Sequence, residues 1–324
     1  MRIFFLLMAF IFIFSCSDEH ENDPVSEPPY AQLTDSIRNM PRNSSLYYRR
    51  GSMLFGNGQY QLAEMDFQKA WDLEPKEEYA VSLTAVLKQR GPEEALKFLR
   101  EAIKKLPGNV FLQIGLARAY QQKNGPDSAL IICSQVIKDH PNAIDAYLLK
   151  AEILEMQNRQ RDALTVLETG YVYAPGDVEL VHRLAFMYAE SKNPKALALS
   201  DSLIDADTEN RHAEPYYFKG VYYANIENYK EAIKQFDEAI RHNFNFLDAY
   251  INKGIAYFDQ KKFDEAIKTF QLGIKVDPNF PDSFYWLGKT WEAKGNGEEA
   301  KLNYLKAYGL DRTMTEAKEA AERL

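Results

Sequence analysis

The sequence predicts an all-α chain built from stacked helical hairpins, and three observations carry that reading. The first is a period of 34 residues: Gly220, Gly254 and Gly288 keep this step, as do Ala232, Ala266 and Ala300, Tyr216, Tyr250 and Phe284, and Phe236, Phe270 and Tyr304. The second is apolar spacing within one period. Tyr250, Gly254 and Tyr257 share one helical face, a polar turn follows at 259–262, and Phe263, Ala266, Ile267, Phe270 and Ile274 form the face of a second helix. The third is punctuation. Pro75, Pro107, Pro141, Pro175 and Pro278 stand near the unit ends, where a residue without an N–H stops a helix. Eight units result: 44–77, 78–109, 110–143, 144–177, 178–212, 213–246, 247–280 and 281–314.

Composition agrees with this and excludes other classes. Of 324 residues, 46% are hydrophobic and 27% charged, which is enough apolar material for a large core and rules out a wholly disordered chain. The formal net charge of −8 disfavours nucleic acid as a partner, because phosphate neutralisation needs a basic surface. Two cysteines cannot make a disulfide framework.

The N-terminus reads as an address. Arg2 precedes an unbroken apolar run from Ile3 to Phe14. A helix of that length spans about 18 Å, short of a hydrocarbon core of roughly 30 Å, so residues 1–15 fit a signal peptide better than a membrane span. Ile13, Phe14, Ser15 and Cys16 resemble a bacterial lipobox, with Phe14 bulkier than that pattern prefers. The resemblance implies cleavage before Cys16 and its acylation; a plain secretory signal with an incidental cysteine is the alternative. Residues 17–29 are polar, acidic and proline-bearing, a tether that cannot bury enough surface to fold. Ser17, in place of Asp, lacks the inner-membrane retention signal of some Gram-negative lipoproteins, which leaves the outer membrane as the expected address. The cluster Asp18, Glu19, Glu21 and Asp23 fits either a surface-export signal or a solvated linker, so the periplasmic face and the cell surface both stay open. Ala31 to Met40, within the tether segment 16–43, is the candidate N-terminal cap.

The repeated residues resemble the tetratricopeptide repeat family, over 271 of the 324 residues. The unit 247–280 carries the pattern as Tyr250, Gly254, Tyr257, Ala266, Phe270, Gly273 and Pro278. The resemblance implies two antiparallel helices per repeat and a right-handed superhelical solenoid whose concave groove is lined by the first helix of each pair. Each hairpin exposes an apolar face until a neighbour covers it, so the ends need polar caps, and residues 315–324 supply the C-terminal one.

Two units depart from the pattern. In 78–109 the turn between helices is two residues short. In 178–212 the turn Ser191, Lys192, Asn193, Pro194 is short by one, Ser200 stands where Phe270 stands in the regular unit, and Leu203 stands where Gly273 stands. Large and small have exchanged places, which can preserve core volume, and 178–212 is expected to be the least regular joint and a candidate hinge.

No catalytic constellation is present: the chain has no HExxH, CxxC or Gly-rich phosphate loop, and no cofactor, metal or small-molecule substrate is expected. His140 and His242 fall at the ends of second helices, where an imidazole answers the helix dipole, and Cys133 reads as a buried small hydrophobe. The expected function therefore lies in the groove. Phe186, Tyr217, Val221, Ile251, Ile255 and Phe258 form an apolar run across three units on its wall, as a partner-binding stripe would or as packing against adjacent repeats would. Asp145, Glu179, Glu214, Asp248 and Asp282 recur at helix starts. The helix dipole accounts for them, and an acidic rim favouring a basic partner is the other reading. Chaperone carboxylate clamps of this family use Lys, Asn and Arg at places that here hold Tyr48, Ser52, Leu83, Phe111 and Gly115, so no such clamp is expected. The expectation is a non-catalytic adaptor, lipid-anchored in a bacterial outer membrane, that binds an envelope protein or peptide segment. The alternatives are a structural subunit of an outer-membrane assembly, secretion or motility machine, and a regulator that recruits a cell-wall hydrolase.

Overall fold

The computed structural model describes residues 24–209 and 211–324. Among the described residues the regular elements are a 3-10 turn at Pro24–Ser26 and eighteen α-helices, with no strand. The chain divides into two compact units, one running through Ile132 and the other starting at Cys133.

The first unit holds α1 (Ala31–Asn39), α2 (Ser44–Gly56), α3 (Tyr60–Leu73), α4 (Glu77–Arg90), α5 (Pro92–Lys105) and α6 (Val110–Gln122), and α7 (Pro126–Asp139) crosses the division. Here α2 pairs with α3 and α4 with α5, while α3 against α4 and α5 against α6 join the pairs in chain order. Leu54, Phe67, Trp71, Tyr79, Leu83, Leu99 and Leu112 fill one core. At its end α1 buries Leu33 and Ile37 against Leu46 and Tyr47. The Arg50 guanidinium of α2 donates to both carboxylate oxygens of Asp66 at 2.7 Å and to Thr34 Oγ1 at 2.9 Å, tying α1, α2 and α3 together. That ion pair is buried, so its geometry matters more than a surface pair's would.

The second unit continues with α8 (Ile144–Met156), α9 (Gln160–Tyr173), α10 (Val178–Glu190), α11 (Lys195–Ala206), α12 (Glu214–Asn225), α13 (Tyr229–His242), α14 (Leu247–Asp259), α15 (Phe263–Val276), α16 (Pro281–Ala293), α17 (Gly297–Leu310) and α18 (Thr315–Arg323). Hairpins α8–α9, α10–α11, α12–α13, α14–α15 and α16–α17 follow one another, and α18 closes the end. Its Ala317, Ala320 and Ala321 are buried against the last repeat while its charged residues face outward, as a capping helix requires.

Five of the hairpin turns share one chemistry. Asn124, Asn158, Lys192, Glu227 and Lys261 all take φ near +60°, and the next N–H reaches back five residues, as Asn193 N to Tyr188 O and Lys262 N to Tyr257 O, both within 2.9 Å. This left-handed close satisfies the orphan carbonyls of the first helix and turns the chain into the second.

In the regular repeats glycine lets the two helices of a hairpin touch. A Cβ on Gly254 would stand 2.3 Å from the Phe270 ring, and Gly220 faces Phe236 and Gly288 faces Tyr304 in the same way. Repeat 178–212 solves the same problem differently. Ser200 is fully buried in the aromatic's place, and Leu203 supplies the volume, packing with Val181, Ala185 and Phe218. With α11 at 12 residues against 14 in α13, α12 packs broadly on α10 as well as on α11, whereas α12 and α14 touch only narrowly. In this irregular repeat the first helices α10 and α12 lie in close contact. Asn225 Nδ2 of α12 donates to the Ala189 carbonyl of α10 at 3.1 Å across it.

Candidate functional site

The first helices α10, α12, α14 and α16 contact one another in order, so residues seven and four apart on each form a shared stripe. The six stripe residues fall into three groups. Phe186 of α10 is 36% exposed and stacks on Tyr217 of α12 with ring centroids 6.4 Å apart and planes 15° from parallel. Val221 and Ile251 are 5% and 7% exposed and belong to the core, Ile251 packing with Leu287 of the following repeat. Ile255 and Phe258 are half-buried and pack toward Trp286 of the following repeat, with Phe258 and Trp286 centroids 6.0 Å apart. The structure therefore joins Phe186 to Tyr217 and assigns much of the remaining run to packing between repeats.

Tyr217 is held on several sides. Its ring meets Phe218, Phe236 and Phe246, and its hydroxyl accepts from Asn252 Nδ2 at 3.1 Å. Burial, reinforced by the charges of Asp248 and Glu190, pushes its phenol well above the ordinary value. The ring is a fixed neutral platform.

Beside Phe186 opens a pocket of about 480 Å³, within the range of ligand pockets. Glu155 of α8, Gln160, Arg161 and Leu164 of α9, and Arg183, Phe186, Met187 and Glu190 of α10 line it, with Ser191. Its apolar part is Leu164, Phe186 and Met187. Arg183 donates to Glu155 at 2.9 Å, so those two charges compensate each other. Glu190 has no ion pair among the described residues, and desolvation by the surrounding protein pushes its carboxyl above the usual range. The spacing of the stripe pointed to Phe186; Leu164, Met187 and Glu190 were missed, because the pocket forms only where three helices of successive repeats meet.

Other sequence candidates resolve as structure. His182 lies edge-on to Phe218 at 5.7 Å and to His212 at 6.3 Å, and burial lowers its pKa. His242 stacks on Tyr216 at 4.6 Å, and Cys133 is buried and in no disulfide. Asp145, Glu179, Glu214, Asp248 and Asp282 all stand in the first turn of their helices. Asp282 is nevertheless pushed above the carboxylate range by burial and by the like charge of Asp248. Among the described residues no group of His, Cys, Asp and Glu is placed to hold a metal ion, and no helix is long and apolar enough to cross a membrane. The signal segment and Cys16 lie outside the described residues.

Profiles described as tetratricopeptide repeat match residues 44–77, 86–153, 213–245 and 247–280. The chain is a tetratricopeptide-repeat protein. The solved structures it resembles carry the same fold. A tetratricopeptide repeat protein from Parabacteroides merdae superposes with a TM-score of 0.63 at 18% identity, covering 76% of this chain and 97% of its own. The Cut9–Hcn1 hetero-tetramer of APC/C matches at 0.54 and 16% identity, over 92% of this chain and 59% of that one. PilW, described as a widely conserved type IV pilus biogenesis factor, matches at 0.54 and 16% identity, over 64% and 94%. No curated protein sequence matches the chain. Among tetratricopeptide-repeat proteins these likenesses establish a shared scaffold, which is a protein-interaction fold; the binding surface has to be read from this chain's own residues.

Proposed function

We propose that this tetratricopeptide-repeat protein is a non-catalytic adaptor, lipid-anchored in a bacterial outer membrane, that captures a segment of an envelope protein on the first-helix face around Phe186 and Tyr217. The observation that carries the interaction is the exposed Phe186 ring, stacked on a fixed Tyr217 and opening onto an apolar pocket. Exposed aromatic surface beside a preformed pocket is what a protein partner anchors on. The anchoring half rests on the apolar run Ile3 to Phe14 and on Ile13, Phe14, Ser15 and Cys16. Two or more acyl chains on Cys16 would hold the protein stably at the bilayer. Recruitment follows from the two parts together: the lipid fixes the place and the groove selects the partner.

The alternative of a subunit in an outer-membrane machine finds a parallel in PilW, but likeness at 16% identity concerns the fold alone and touches no residue of the groove. The test uses cells expressing the full chain as wild type, Cys16→Ala and Phe186→Ala. The wild type should carry an acylated N-terminal cysteine and sediment with outer membranes, and Cys16→Ala should be released or left unprocessed. Phe186→Ala should stay folded and anchored yet lose its crosslinked protein partner. An unlipidated wild-type N-terminus would end the anchoring half, and a full complement of crosslinks in Phe186→Ala would end the groove half.

A further inference from the structure

The charges around the apolar pocket define what can occupy it. Each of the four first helices α10, α12, α14 and α16 carries a single Lys or Arg, and every one is engaged. Arg183 is bound to Glu155 at 2.9 Å, Lys219 to Asp201 at 2.6 Å and Lys253 to Asp237 at 2.5 Å. Lys289 lies over the Trp286 ring at 4.2 Å. Among the described residues, carboxylates on the same helices have no ion pair at Glu179, Glu190, Asp248, Asp259 and Asp282. Their spacing places them beside the apolar stripe. Glu179 precedes Phe186 by seven residues and Glu190 follows it by four, while Asp248 and Asp259 flank Ile255 with the same intervals. Desolvation raises Glu190, Asp259 and Asp282 alike, with Asp248 adding like-charge repulsion at Asp282 and Lys289 offsetting part of the shift at Asp259. The exposed cation of the pocket, Arg161, belongs to the opposite wall, on α9.

We propose that the pocket formed by Leu164, Phe186 and Met187 receives a large apolar or aromatic side chain of a basic protein segment, whose Lys or Arg residues pair with Glu190 and then with the carboxylates of α14. The assignment rests on the adaptor reading and specifies its partner. A cation arriving beside Glu190 replaces solvation that the protein has removed, and the apolar anchor fixes the register of the segment along the first helices. An acidic segment would meet like charge on α10, α14 and α16 and is rejected by the same surface.

The experiment uses the full chain, purified from membranes in nonionic detergent, and fluorescence anisotropy with three short labelled peptides. One alternates Lys with Ser around a central Phe-Leu pair, the second has Glu in place of every Lys, and the third keeps Lys but has Ala in place of Phe-Leu. The first should bind about tenfold or more tightly than either other peptide. Glu190→Gln should weaken it by about two- to fivefold, the scale of one partly exposed ion pair, and Phe186→Ala should erase the preference for Phe-Leu over Ala. Equal or tighter binding of the acidic peptide overturns the assignment while leaving the groove as the partner site. So does failure of the basic peptide to bind when Phe186→Ala still abolishes the crosslinked partner in cells. If neither peptide binds and the crosslink is also insensitive to Phe186, the adaptor reading falls with it.

Discussion

Repeats 247–280 and 178–212 occupy the same kind of place in the second unit and build their cores by opposite means. In 247–280 a glycine meets an aromatic: Gly254 lies against Phe270, and the outer apolar residues of α14 are covered by Leu287 and Trp286 of the next repeat. In 178–212 the aromatic is absent, Leu203 supplies volume from one turn away, and α12 moves onto α10. The regular repeat ends with its first-helix side chains largely occupied. The irregular one leaves Phe186 open beside a pocket. Apolar residues on a first helix therefore do not by themselves mark a binding stripe. They mark one where a ring stays exposed beside a pocket, as Phe186 does where α8, α9 and α10 meet.

The largest effect expected from breaking this contrast is at the aromatic. Phe270→Ala should cost about 3–5 kcal/mol, seen as a lowered urea midpoint, whereas Leu203→Ala should cost about 2–5 kcal/mol and act through the 178–212 joint. Hydrogen exchange should then show the loss of protection centred on α14–α15 in the first case and on α10–α12 in the second. Next comes Gly254→Ala, where the added methyl meets a buried ring and overpacking should cost about 1–3 kcal/mol. An unchanged melting temperature for that variant would show that the hairpin contact is looser than the ring distance implies. Ser200→Ala should go the other way. The Ser200 hydroxyl is buried without a hydrogen-bond partner, so its removal should stabilise by about 1 kcal/mol.

The smallest effect concerns pH. Burial holds the His182 pKa below its ordinary 6.5, with the nearby Glu214 opposing and His212 adding to the shift. The neutral ring is the folded form. Its contribution to stability is complete above about pH 6.5 and is lost as the pH falls through the lowered folded value, because the unfolded chain takes up the proton first. His182→Phe should flatten the decline of melting temperature on the acidic side, and an identical slope in both proteins would contradict this.

Much of the architecture was legible because it repeats. A step of 34 residues that returns Gly, Ala and aromatic positions leaves few ways to pack, and the helix pairs follow from it. The two end helices could be read from polarity alone. The site was only partly legible. Spacing identifies Phe186 and Tyr217 as belonging to one face, but it equally selects Val221 and Ile251, which are buried. Whether a neighbour covers a residue depends on how closely successive hairpins approach, which no single helix encodes. The pocket was invisible for the same reason, since Leu164, Phe186 and Met187 come from two helices with Glu155 contributed by a third.

The decisive question is where a partner touches the protein. A photo-activatable amino acid at Met187, in the pocket, can be compared in living cells with one at Leu272, exposed on the second helix α15. Irradiation should yield a discrete protein adduct from position 187 and none from position 272, with the adduct at 187 lost when Phe186→Ala is added. Adducts from position 272 with none from 187 would place the partner on second-helix surface and contradict the account.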